Sequence, residues 1–236
     1  MRIYTSCLDA VKEVERDLWE LGITVQPHTM QDKVVKGDED YFTKEMQSYG
    51  FMITNPLGNE DFLKYLFPDN FDRMLRWAEQ DFQERISTEM INPGFAWKIR
   101  EETWSEFIHD GRFHYTYNER IRIQLGRIIE ELDKNPPTRQ AIINIHNNVI
   151  DLQNLGGTGR IPCSLNYGFM IRHGKLDCIY TMRSCDFLTH FPFDNWHAIK
   201  LQQYIADALG IPVGKYTYFT FSLHAYYKDM KKRGIF

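Results

Sequence analysis

Apolar residues recur at three- and four-residue intervals through Leu8, Val11, Val14, Leu18 and Leu21, and Gly22 follows. That spacing lines one face of a helix, and the glycine predicts its end. Ile23 to Gln26 reads as a short strand. Asp38 to Tyr49 reads as a second helix, closed by Gly50 and carrying Glu45. A longer helical region runs from Asn59 to about Ile86, broken near Pro68, with Asp69 or Asn70 as the new cap. Asn92-Pro-Gly and His109-Asp-Gly-Arg are turns. The clearest helix is Asn118 to Lys134, with Ile121, Leu125, Ile128, Ile129 and Leu132 as its buried stripe and Pro136 and Pro137 beyond its end. Ala141 to Ile145 reads as a buried strand, and Leu155 to Arg160 as a glycine-rich loop. Tyr167 to Arg172 and Leu176 to Met182 form a hairpin across His173-Gly174. Phe193 to Leu209 is a helix stopped by Gly210, and Tyr216 to Tyr226 alternates as a strand.

These elements show no repeat and no long linker. With 236 residues, 43% hydrophobic and 14% aromatic, the chain suits one well-buried domain over residues 1–236. A net charge of −4 gives no support for a surface that coats nucleic acid. Cys7, Cys163, Cys178 and Cys185 form no CxxC pair and no zinc spacing. The first residues do not read as a secretory leader, so none is expected, and no apolar run reaches membrane-spanning length. The expectation is a cytoplasmic protein (in the host cytoplasm if phage-encoded) without disulfides, structural metal or membrane contact.

Chemistry concentrates in Arg160-Ile-Pro-Cys163, followed by Met182-Arg183-Ser184-Cys185-Asp186. A thiol attacks as thiolate, and a guanidinium beside it lowers its pKa toward neutrality. The same guanidinium matches phosphate oxygens. Nucleophile and phosphate anchor together point to covalent chemistry on a nucleotide. The alternative is a buried structural cysteine and an ordinary surface arginine.

Pro162-Cys163, Arg183-Ser184-Cys185-Asp186, Pro192-Phe193-Asp194 and His224-Ala225-Tyr226 match, in order and spacing, motifs of the thymidylate synthase superfamily, which this chain resembles from Arg160 to Tyr227. Asn135-Pro-Pro-Thr-Arg139 resembles a further segment of that family, and Asp40 to Tyr49 resembles the part of deoxycytidylate hydroxymethylase that carries a glutamate. The resemblance, in particular to the (deoxy)cytidylate 5-hydroxymethylase branch, implies an α+β fold. A mixed twisted sheet with flanking helices would pack sheet to sheet in a homodimer.

By the same resemblance, Cys163 adds to C6 of the pyrimidine, and Glu45 and Tyr117 assist, Glu45 as general acid/base. Arg183 and Ser184 hold the 5′-phosphate, with Arg139 reaching it from the partner subunit, and His224 and Tyr226 hold the sugar. Asp186 and Trp104 contact the pterin of 5,10-methylenetetrahydrofolate, the co-substrate, and no metal is called for. Asp194 stands where thymidylate synthases have asparagine. An ionised carboxylate only accepts hydrogen bonds, which suits the exocyclic amine of cytosine. Asp194 also fits a helix cap before Asn195. Gln140 replaces an arginine of the family pattern, with Lys33 and Lys36 as substitutes for its charge. The implied reaction is hydroxymethylation of dCMP or CMP. Reductive methylation of dCMP or dUMP and a catalytically silent nucleotide-binding homologue are the alternatives.

Overall fold

The computed structural model describes every residue except Asn59 and Phe236. The elements in chain order begin with β1 (Arg2–Tyr4), α1 (Cys7–Leu21), β2 (Ile23–Val25), β3 (Thr29–Met30), β4 (Lys33–Val34) and β5 (Thr43–Ile53). Next come α2 (Glu60–Leu66), α3 (Phe71–Ile86), α4 (Ala96–Ile99), α5 (Glu101–Trp104), α6 (Tyr117–Lys134), β6 (Ile142–Asn144) and α7 (Asn148–Asp151). The chain continues with β7 (Ser164–Arg172), β8 (Lys175–Asp186), α8 (Phe191–Leu209), β9 (Val213–Tyr226) and α9 (Tyr227–Lys232).

Among the described residues, one mixed sheet runs β1-β5-β9-β8-β7-β6, with β2 also on β5, and β3 and β4 make a separate small hairpin. The pairs β1–β5 and β8–β9 are parallel, and the others are antiparallel. Helices α1 and α8 pack on the sheet. The architecture is the expected mixed α+β one.

Local chemistry explains most boundaries. Ser6 caps α1 by accepting from the Asp9 amide, and Ala10, Val11, Val14 and Leu18 are buried along its inner face. Gly22 closes it because a Cβ there would meet Leu18 O at 2.5 Å. Thr116 and Glu119 make a reciprocal capping box for α6, worth about 1 kcal/mol or more. Of the predicted stripe, Ile121, Leu125 and Leu132 are fully buried, while Ile128 and Ile129 are partly buried against the same core. Gly210 ends α8 in the left-handed conformation that glycine adopts most readily.

Two readings need correction. Residues 38–49 are not a helix: a single 3₁₀ turn at Glu39–Tyr41 leads into strand β5, which carries Glu45. β5 sits inside the sheet, hydrogen-bonded to β9 on one side and to β1 and β2 on the other, and this pairing overrides the local sequence preference. Helix α8 begins at Phe191 with His190 as its N-cap, so Asp194 lies inside the first turn and does not cap it. The break at Pro68 is a short 3₁₀ turn, and Asn70 precedes α3 without a side-chain capping bond. The helical reading at Asn59 falls outside the described residues.

Candidate active site

A cleft of about 360 Å³ opens where the ends of β8, β9 and α8 meet the loop before β7. It gathers nine of the predicted site residues: Cys163, Arg183, Ser184, Asp186, Asp194, Tyr117, Trp104, His224 and Tyr226.

The backbone fixes Cys163 beside Arg183. The Arg183 amide donates to Cys163 O at 2.8 Å, and Arg183 Nη2 lies 4.0 Å from Cys163 Sγ. The arginine is itself held by carbonyls, with Nε donating to Pro162 O and Nη2 to Ile161 O, both at 2.9 Å. Burial raises the Cys163 thiol above its ordinary pKa, and Arg183 pulls the other way without overcoming it. The expectation that the guanidinium brings the thiol toward neutrality is therefore not met in the free protein.

Asp194 sits on the first turn of α8, its backbone anchored to His190 O at 2.9 Å. Its neighbour Asn195 is locked by Tyr216 Oη at 2.7 Å and by Phe191 O at 2.7 Å, which ties this turn to β9. The buried Cys185 thiol donates to Asp194 Oδ2 at 3.7 Å. Burial raises the Asp194 carboxyl to about 7, with Arg85 opposing the rise. Asp194 is thus poised to be either a donor or an acceptor near neutral pH.

Tyr117 exchanges a hydrogen bond with Ser164 Oγ at 3.0 Å, and the Arg85 guanidinium stacks 4.0 Å above its ring. His224 and Tyr226 have ring centroids 5.0 Å apart. Burial, reinforced by Arg183, lowers His224 to about 4, so it is neutral at physiological pH. The Trp104 ring lies nearly parallel to Trp77, 6.2 Å away, and its buried Nε1 has no hydrogen-bond partner. Asp186 is buried, and burial together with Asp229 raises its carboxyl to about 7. Trp104 and Asp186 thus bring an aromatic ring, an unsatisfied donor and a protonatable carboxyl to the same cleft.

Two predicted residues stand outside the cleft. Glu45, half-buried on β5, connects to it through Ser222, whose Oγ donates to Glu45 Oε2 at 2.9 Å and lies 3.2 Å from His224 Nδ1. Arg139 is exposed in the turn between α6 and β6 and does not line the cleft. Lys33 and Lys36 do not line it either, and Lys33 is bound to Glu106 at 2.5 Å.

The cleft also holds residues for which no role was expected. Gln31, with its backbone at φ 56° in the β3–β4 turn, directs Nε2 toward Cys163 Sγ at 3.6 Å and accepts from the Ile161 amide at 3.3 Å. Arg85, Arg160 and His190 line the wall. Burial, with Arg100 nearby, lowers His190 to about 3 and keeps it neutral. The four cysteines are all unpaired, and among the described residues no group of three His, Cys, Asp or Glu is arranged to hold a metal ion. No helix among them is long and apolar enough to cross a membrane.

Residues 70–233 match the model of the thymidylate synthase family. The chain belongs to that family. A Methanocaldococcus jannaschii protein named "Putative thymidylate synthase" is 34% identical over 202 residues, covering 85% of this chain and 83% of that protein. The deoxyuridylate hydroxymethyltransferase of Bacillus phage SP01 is 33% identical over 203 residues, covering 79% of this chain and 51% of the phage enzyme. Thymidylate synthase A of Bacillus subtilis, at 18% identity, superposes with a TM-score of 0.64 over 98% of this chain and 84% of that one, which shows the shared fold. This family member is therefore an enzyme of folate-dependent one-carbon transfer, methyl or hydroxymethyl, with methylenetetrahydrofolate as the family's co-substrate.

Proposed function

We propose that the chain works as one catalytic domain that transfers a hydroxymethyl group to C5 of a cytidine 5′-monophosphate, dCMP or CMP. The observation that carries this reading is Asp194, a carboxyl in the cleft where the family's thymidylate synthases have an amide. When ionised it accepts from the exocyclic amine of cytosine and from N3 once that nitrogen is protonated.

Cys163 Sγ adds to C6 as thiolate, and the electron density placed on C5 forms a bond to the methylene carbon that methylenetetrahydrofolate supplies. Loss of the C5 proton and cleavage of the carbon–nitrogen bond then release tetrahydrofolate and leave an exocyclic methylene. Arg183 stabilises the thiolate as it forms, and Gln31 Nε2 adds a second donor. Arg183 and Ser184 bind the 5′-phosphate, His224 and Tyr226 bind the sugar, and Trp104 and Asp186 hold the pterin. Tyr117 braces the wall next to the reacting ring. Glu45, through Ser222 and His224, orders the water that adds to the exocyclic methylene and becomes the hydroxyl. The Sγ–C6 bond then breaks and frees the product.

The partner's Arg139 would complete the phosphate site in a homodimer. The exposed Phe219 and Phe221 on β9 support such a sheet-to-sheet contact.

A second reading has uridylate as substrate. The carboxyl near 7 favours it, because protonated Asp194 offers a donor to uracil O4. The test is to incubate CMP, dCMP and dUMP separately with methylenetetrahydrofolate and weigh the products. A cytidylate heavier by CH2O, without dihydrofolate, supports the proposal. Dihydrofolate in step with a methylated product would replace hydroxymethylation by reductive methylation. Product from dUMP alone would replace the substrate.

A further inference from the structure

Three arginines line the cleft, and they differ in what occupies them. Arg85 donates through Nε to Asp81 at 2.6 Å and is neutralised there. Arg183 spends Nε and Nη2 on the carbonyls of Pro162 and Ile161. Arg160 has neither kind of partner. It is only 7% exposed, its Nε is buried without a hydrogen bond, and among the described residues no carboxylate lies within 4 Å of its guanidinium.

Aromatic rings pack around that guanidinium: Phe107 at 4.3 Å, Trp104 at 5.4 Å and Tyr115 at 5.6 Å. The ring faces attract the cation and fix its plane, but they leave its N–H groups without acceptors. A buried charge in that condition is costly unless a counter-charge arrives. The segment also sets its position. Ile161 and Pro162, whose carbonyls hold Arg183, directly follow Arg160, and Cys163 comes next. The two guanidiniums are therefore fastened to one short stretch of backbone ahead of the nucleophile. Gln140, where the family pattern has an arginine, leaves the phosphate site one charge short, and neither Lys33 nor Lys36 reaches the cleft.

We propose that Arg160 is a further oxyanion-binding residue of this cleft, and that it takes an oxygen of the nucleotide 5′-phosphate. It supplies from its own subunit the charge missing at Gln140. The aromatic cage holds the fork rigid, so little side-chain freedom is lost on binding. This inference rests on the nucleotide-cleft reading above. Phosphate binding is read without turnover, however, so its failure leaves the reaction itself intact.

The experiment compares wild type with Arg160→Met, which keeps the apolar stem in the cage, and Arg160→Lys, which keeps the charge. Thermal unfolding is followed with inorganic phosphate, and calorimetry with CMP and dCMP against the nucleosides cytidine and deoxycytidine. Tetrahydrofolate with and without its glutamate tail makes a final arm. The expected result is monophosphate binding weakened roughly tenfold or more in R160M, with nucleoside binding unchanged, loss of the stabilisation by phosphate, and partial recovery in R160K. If R160M does not fold, R160K carries the comparison. There the planar fork is lost, and a severalfold weakening confined to the phosphorylated ligands is expected. Weakening confined to the glutamate-bearing folate would move the oxyanion to the co-substrate and overturn the phosphate assignment. Unchanged affinity for all ligands in a folded variant would overturn the inference entirely.

Discussion

Glu45 and Ser222, on the adjacent strands β5 and β9, are joined by a 2.9 Å hydrogen bond from the serine hydroxyl to the glutamate carboxylate. That bond links a residue outside the cleft to one that lines it, because the same hydroxyl meets His224 Nδ1 at 3.2 Å. Glu45→Gln is expected to lower kcat on the order of a hundredfold or more, the usual worth of a proton-moving group, with little change in nucleotide affinity. Ser222→Ala is expected to lower it about tenfold, as one hydrogen bond to a charged group is lost. Steady-state kinetics of both variants check this, and a Ser222→Ala enzyme with unchanged kcat would disconnect Glu45 from the site.

Cys163→Ala is expected to abolish tritium release from C5-labelled cytidylate while leaving nucleotide binding within a fewfold of wild type. In the free protein the thiol titrates above its ordinary value because burial outweighs Arg183. The rate of alkylation by iodoacetamide is therefore expected to climb with pH beyond the range of a free cysteine. In Arg183→Ala the curve should move to still higher pH, since the cation favours the thiolate. A shift in the opposite direction would mean that Arg183 does not help form the nucleophile.

Base selectivity is expected to follow the protonation of Asp194. Its carboxyl titrates near 7, raised by burial. Below that pH it carries a proton and can donate to uracil O4. Above it, the carboxylate accepts only and suits the cytosine amine. The ratio of kcat/KM for cytidylate over uridylate should therefore rise as pH passes upward through 7. Asp194→Asn should flatten that profile and favour uracil by roughly tenfold to hundredfold, the cost of mispairing a buried polar group. Retention of both the profile and the cytidylate preference in the asparagine variant would assign base choice to another residue.

The exposed Arg139 is expected to act across the dimer. Arg139→Ala should weaken monophosphate binding about tenfold, as a charge-assisted contact is lost. Mixed with inactive Cys163→Ala, it should recover part of the activity, because one of the two sites in the heterodimer then has a cysteine and a partner arginine. If mass spectrometry shows heterodimers and no activity returns, the site is complete within one subunit.

Much of the fold was legible because the buried stripes of α1 and α6 and the His173-Gly174 turn are local signals. The misreading of residues 38–49 has a physical origin. In β5, Thr43, Met46, Phe51 and Ile53 are buried while Ser48 takes a left-handed backbone at φ 52°, so a simple two-residue alternation is lost. Motif spacing found the residues that act through sequence neighbours, such as Arg183 and Ser184. It does not mark Gln31 and Arg85, which reach the cleft only through tertiary packing, and it assigns no role to Arg160 and His190, which sit beside its motifs. For Asp194 it fits both base recognition and capping, and the start of α8 at Phe191 removes the cap.

Strands β8 and β9 run parallel with Ser184 opposite Ser222 and Asp186 opposite His224. Two motifs separated by the whole of α8 are thereby hydrogen-bonded neighbours. Such a pairing closes a long loop, so it is expected to form later in folding than the hairpin β7–β8. It also makes the two strands unequal to their connections in tolerance of length changes. A residue added in the turn after α8 costs little, because loop entropy grows slowly with length. A residue deleted within either strand slides one motif past the other and turns its side chains to the opposite face. Drift in chain length is thus expected to collect at the ends of α8, while the two strands keep step.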